Sequence, residues 1–165
     1  MSHNILFFPW RDWNTFIREG FRTREANILK SLHNDKGINN ILCVNRPSQP
    51  LYVEALLKRN KNYIFKGKSA LEEQTEIPSK TLYKRFFSKL IEVETGLYIL
   101  DLFYHLPNPK GNKLERISVF SEIFKKEVKY ALNFLNFKGD YITWAYDVTR
   151  SLLIDELKTE VLVFD

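Results

Sequence analysis

Asn4-Ile5-Leu6-Phe7-Phe8-Pro9-Trp10-Arg11-Asp12-Trp13 is unbroken apolar sequence after Asn4, then turns abruptly to proline, tryptophan and charge. A segment apolar on both pleat faces suits a central parallel strand covered on both sides, rather than a half-exposed antiparallel one. Pro9 cannot donate to a ladder, so the strand is expected to end there and the residues to Trp13 to open a loop.

Outward from that strand, a helical pattern runs from Arg22 to His33, with Ala26, Leu29 and Leu32 at helical spacing and Ile28 beside them. Asn34-Asp35-Lys36-Gly37 closes it as a turn. Asn40 to Asn45 reads as a second strand, ended by Arg46-Pro47-Ser48-Gln49-Pro50. Leu51 to Leu57 reads as a short helix and Asn62 to Phe65 as a weaker strand. Gly67 to Thr95 is an inserted loop or a hairpin. Gly96 to Tyr104 is a clear strand, ended by His105-Leu106-Pro107-Asn108-Pro109. Lys113 to Phe137 reads as a long helix, with Ile117, Phe120, Phe124, Val128, Ala131 and Leu135 on one face and Lys125, Lys126 and Lys129 on the other. Tyr141 to Tyr146 is a further strand, Ser151 to Leu157 a short helix, and Glu160 to Asp165 a last, buried strand.

Strands alternating with helices predict an α/β domain: a Rossmann-like, doubly wound, mostly parallel sheet with helices on both faces and right-handed crossovers. One domain over 1–165 is expected. A final strand with no helix after it is expected to belong to the front half of a two-domain enzyme, or to pair through its edge with a second copy.

A 165-residue chain buries a core without disulfides or metal. The hydrophobic fraction of 44% and charged fraction of 27% are those of a globular protein. Aromatics, at 15%, are abundant enough to fill a core and to line a cleft. The net charge of +5 favours anionic partners, among them membrane surfaces and phosphorylated substrates. There is no dense basic tract, and no nucleic acid is expected. Cys43, the one cysteine, lies in the apolar run Ile41-Leu42-Cys43-Val44 and reads as a small core residue. No run has the length of a transmembrane helix or the form of a secretory signal, so the expected location is the cytoplasm or its membrane face.

In a parallel sheet, ligands bind outside the carboxyl ends of the strands, so the residues just after each apolar run are the site candidates. These are Trp10, Arg11, Asp12 and Trp13, then Asn45 and Arg46, then His105, then Tyr146 and Asp147, and finally Asp165. The first loop carries no Gly-x-Gly-x-x-Gly, and neither a P-loop nor a Gly-x-Ser-x-Gly elbow occurs. His3, His33 and His105 have no metal-ligand spacing, so no metal is expected. Of the three, only His105 has a position suited to a general base.

The first strand with Trp10, Asp12 and Trp13, the arginine-bearing helix Arg22-Thr23-Arg24-Glu25-Ala26-Asn27-Ile28-Leu29, and the Arg46-Pro47 step together resemble the start of bacterial GT-B glycosyltransferases. The strand from Tyr141 to Tyr146 and the strand Val161-Leu162-Val163-Phe164-Asp165 are similar to later strands of that family, particularly in enzymes that build cell-surface polysaccharides. The resemblance implies the N-terminal, acceptor-binding half, with a nucleotide sugar as co-substrate held by a second domain and no cofactor bound here. It implies a glycan or lipid-linked saccharide as acceptor. On that view Asp12 or His105 takes the acceptor proton, and Trp10, Trp13 and Tyr146 stack on sugar faces. Arg11 and Arg46 then pair with a phosphate or carboxylate, with Asp147 beside them. The competing reading is a non-catalytic α/β ligand-binding or regulatory module; it lacks the acidic cluster that a phosphoacceptor site needs.

Overall fold

A computed structural model of the chain describes residues 3–48, 79–105, 113–137, 141–146, 150–155, 157, 159 and 161–164. In chain order the elements are β1 (His3–Phe8), α1 (Trp13–Arg18), α2 (Arg24–His33), β2 (Ile38–Val44), β3 (Lys80–Lys84), β4 (Ser88–Glu94), β5 (Leu97–Leu102), α3 (Lys113–Phe134), β6 (Tyr141–Ala145), α4 (Ser151–Ile154) and β7 (Val161–Phe164). The helix expected at Leu51–Leu57, the strand at Asn62–Phe65, Asp147 and Asp165 lie outside the described residues.

The strands form one mixed, mostly parallel sheet in the order β3-β4-β5-β2-β1-β6-β7. β1 is the parallel centre, with Leu6 opposite Leu42 of β2 on one side and Thr143 of β6 on the other. β2 pairs with β5, and β6 with β7, also in parallel. β3 and β4 add an antiparallel hairpin to the β5 edge. The stretch left open between loop and hairpin is therefore a hairpin over its described part, and it is what makes the sheet mixed.

Alternate residues of β1 feed two cores. Leu6 and Phe8 join Leu42, Val44, Leu100, Phe124, Val128 and Leu153 under α3 and α4. Ile5 and Phe7 join Ile41, Cys43, Ile99, Phe16, Ala26 and Leu29 under α1 and α2. Phe7 and Phe8 are both fully buried, each worth about 1.5–3 kcal/mol relative to exposure. The crossover from β1 to β2 moves one way along the sheet with its helices on one face. The crossover from β5 to β6 moves the other way with α3 on the opposite face. Opposite direction and opposite face give both connections the same hand.

Three local expectations are corrected. The loop after Pro9 holds only to Asp12: Trp13, placed in that loop by sequence, begins the short helix α1, because Trp13 and Phe16, three apart, both bury against the sheet. The final strand is not buried: β7 is an edge strand whose Val161 and Leu162 are exposed. Lys125 is not on the solvent face of α3: it is 8% exposed, laying its stem against the protein while its ammonium reaches Glu122 at 3.0 Å. No helix among the described residues is long and apolar enough to cross a membrane.

Candidate functional site

The parallel strands, taken alone, lie in the chain order third-second-first-fourth-fifth, so the winding reverses between β1 and β6. In open parallel sheets, a point where neighbouring crossovers leave in opposite directions is where ligands bind, above the carboxyl ends of the strands. Here the exits of β1 and β6 are tied together, since the Tyr146 amide donates to the Phe8 carbonyl at 2.9 Å. Tyr146 also packs its ring 5.8 Å from that of Phe7.

The β1 loop is anchored by α2. Thr23 caps this helix, its hydroxyl accepting from the Ala26 amide at 3.3 Å, and so fixes Glu25 in the first turn. The Glu25 carboxylate accepts the Trp10 amide at 2.7 Å and the Arg11 amide at 3.4 Å, both on Oε2. Glu25 is 6% exposed. Burial raises its pKa; the two amides and the charges of Arg11 and Arg46 oppose the rise. Among the described residues no hydrogen bond reaches its Oε1.

A polar relay runs along the same edge of the sheet. Asp12 Oδ1 accepts the Arg46 amide at 2.7 Å. Asn45 Oδ1 accepts the Trp13 amide at 2.9 Å, while its Nδ2 donates to Asp101 at 2.7 Å. The loop after β1 is thereby stitched to the ends of β2 and β5. Burial raises the Asp101 pKa against the Asn45 bond and Lys89, with the Asp12 charge adding to the rise. The Arg46 guanidinium lies 4.2 Å over the ring of Trp10, which is 49% exposed. Arg150 is fully buried, donates to the Val44 carbonyl and lies 5.8 Å from the Phe8 ring centroid.

An open cleft of about 340 Å³ lies at this point, lined by Trp10, Arg11, Thr23, Arg24, Glu25 and Tyr146. A comparable cleft, lined by Lys80, Glu92 and Glu94 among others, lies at the opposite edge of the sheet. No family model, curated protein or solved structure matches this chain.

Of the residues singled out in the sequence, Trp10, Arg11 and Tyr146 line the first cleft, with Asp12 and Arg46 joined to its rim. Arg11 spans to Glu19 in an exposed ion pair. Trp13 is instead a core residue, 4% exposed and edge-on to Phe21 at 5.3 Å, because the turn into α1 rotates it onto the sheet. His105 follows β5, two strands from β1. Its ring stacks on Phe86 at 3.8 Å, meets Phe87 at 5.5 Å, and Nε2 bonds the Phe86 carbonyl. Among the described residues no group of three His, Cys, Asp or Glu is placed to hold a metal ion.

Sequence reasoning passed over Glu25, Arg24 and Arg150. The signal for Glu25 was present: a threonine cap turns the following acidic residue back toward the preceding loop. Nothing local marks Arg150, since an arginine before a short helix reads as solvent-facing.

Proposed function

We propose that this chain is the acceptor-binding domain of a GT-B glycosyltransferase of the bacterial cell-surface polysaccharide type. The finer fold reading, a doubly wound Rossmann-like sheet, is supported by the strand order and by helices on both faces. The observation that carries the functional reading is the cleft at the winding reversal, where an exposed indole, a tyrosine, two arginines and a buried carboxylate converge.

In this reading Trp10 and Tyr146 present ring faces to the acceptor sugar. Arg11, Arg24 and Arg46 receive a carboxylate or phosphate carried by that acceptor. A second domain supplies the nucleotide sugar. The acceptor hydroxyl oxygen bonds to the anomeric carbon, the bond from that carbon to the phosphate oxygen breaks, and the nucleoside diphosphate leaves with the electron pair. The acceptor proton passes to a carboxylate at the cleft. Glu25, whose Oε1 accepts no hydrogen bond among the described residues, is suited to take it, and Asp12 at the rim holds the loop in register. His105 belongs to the hairpin cluster and is not assigned the proton.

The test is transfer of radiolabelled sugar, from a panel of nucleotide sugars to lipid-linked acceptors, by the enzyme carrying both halves. Glu25→Gln keeps the two amide bonds and is expected to lower kcat by about a hundredfold or more. Full turnover in Glu25→Gln, with loss in His105→Ala, would overturn the assignment of the proton. Absence of transfer with every donor would overturn the enzyme reading itself.

A further inference from the structure

The β3–β4 hairpin carries an aromatic pair to the carboxyl edge of the sheet. Phe86 lies at the hairpin tip and is 65% exposed. The imidazole of His105 stacks on its ring at 3.8 Å, and the Phe87 ring stands at right angles to it at 4.8 Å. A lone exposed phenylalanine on a loose turn needs no explanation. This one is held at three points. The Arg85 amide donates to the Ser88 carbonyl at 2.7 Å, the Phe103 amide donates to the Phe87 carbonyl at 2.8 Å, and His105 Nε2 bonds the Phe86 carbonyl. A ring fixed in advance meets a ligand at little further cost in order.

The pair is continuous with the cleft at β1. From Arg46, whose guanidinium covers Trp10 at the cleft rim, the chain runs on beside the end of β5. The Ser48 amide donates to the Leu102 carbonyl at 2.9 Å, and the Ser48 carbonyl accepts the Tyr104 amide at 3.1 Å. Ser48 is exposed there. Phe86 with His105, then Ser48, then Arg46 with Trp10, then Tyr146 thus follow one another across one edge, in the strand order β4-β5-β2-β1-β6. β5 and β1 are two strand spacings apart, about 10 Å. A monosaccharide in the cleft does not reach the hairpin tip, whereas a chain of several sugars does. Ring faces separated by polar groups suit a saccharide, whose C–H faces alternate with hydroxyls.

We propose that Phe86 and His105 form a second sugar platform, and that the acceptor is an oligosaccharide lying from the cleft to the hairpin tip. This rests on the reading of the cleft as an acceptor site and adds to it the length of the acceptor.

Galacturonic acid and its linear dimer, trimer and tetramer are the probes, titrated into the chain and followed by amide chemical shifts. Affinity is expected to rise by about tenfold or more from the monosaccharide to the tetramer, since a second contact joined to the first adds to it. Shifts at Phe86, Phe87 and His105 are expected with the tetramer and not with the monosaccharide. Phe86→Ala is expected to bring the tetramer down to the affinity of the monosaccharide. Phe134→Ala, which removes a ring 49% exposed on α3, is expected to keep most of the gain. Monosaccharide binding with no gain along the series would overturn the platform and leave the cleft reading standing. So would a gain that survives Phe86→Ala or is lost equally in Phe134→Ala. Absence of binding by every member of the series would overturn the platform together with the cleft reading.

Discussion

Glu25 is a structural latch, and the proposed function adds a second duty that one substitution separates from the first. As a latch it satisfies the Trp10 and Arg11 amides in a buried place. Glu25→Ala strands those donors and is expected to cost about 1–3 kcal/mol in urea unfolding at neutral pH. Glu25→Gln retains an oxygen acceptor and removes the charge. Because the folded pKa is raised above its ordinary 4.5, the carboxyl contributes its stability at acid pH, and that contribution is lost as pH rises through the folded value. The stability of Glu25→Gln relative to wild type is therefore expected to rise from acid to neutral pH; an opposite slope would mean that the amides and arginines outweigh burial. Cys43 is the opposite case, a thiol whose pKa burial pushes up and which belongs to the core. Its role was readable from its apolar neighbours. The burial of Arg150 and Lys125 was not, since each depends on partners distant in sequence or on the packing around the helix.

Among the elements, β1, β2, β5 and β6 were legible because central parallel strands are apolar at nearly every position. α1 was not, since six residues are too few for a helical period to declare itself. Nor was β3, a half-exposed edge strand of the sequence Lys80-Thr81-Leu82-Tyr83-Lys84, whose lysines and irregular register fit a guarded edge. The β4–β5 turn depends on Gly96, which has φ of +81° and stands against the neighbouring strand β2. A Cβ there would lie 2.9 Å from the Asn39 carbonyl. The Gly96 carbonyl accepts the Ile41 amide at 2.8 Å, so a shift of this turn also disturbs β2. Gly96→Ala is expected to cost more than about 1 kcal/mol, read as a lower urea midpoint at unchanged slope. An unchanged midpoint would mean that the turn moves without strain.

At the scale of the whole molecule, the strand order puts the residues after β1 and β6 side by side, while the end of β5 lies two strands from β1. That is why Trp10, Arg11 and Tyr146 share a cleft and His105 joins the aromatic turn of the hairpin. Reading strand ends from sequence brought together Trp10, Arg11 and Tyr146, which do line one cleft, but could not rank positions along that edge of the sheet, because lateral strand order is a long-range property. The cleft's identity as an acceptor-sugar site is tested by amide chemical-shift mapping of the chain titrated with methyl glucuronide and a hexose phosphate at millimolar concentrations. The expected result is saturable shifts at Trp10, Arg11, Glu25 and Tyr146, lost in Trp10→Ala. No shifts with either sugar, or shifts confined to Phe86, Phe87 and His105, would contradict it.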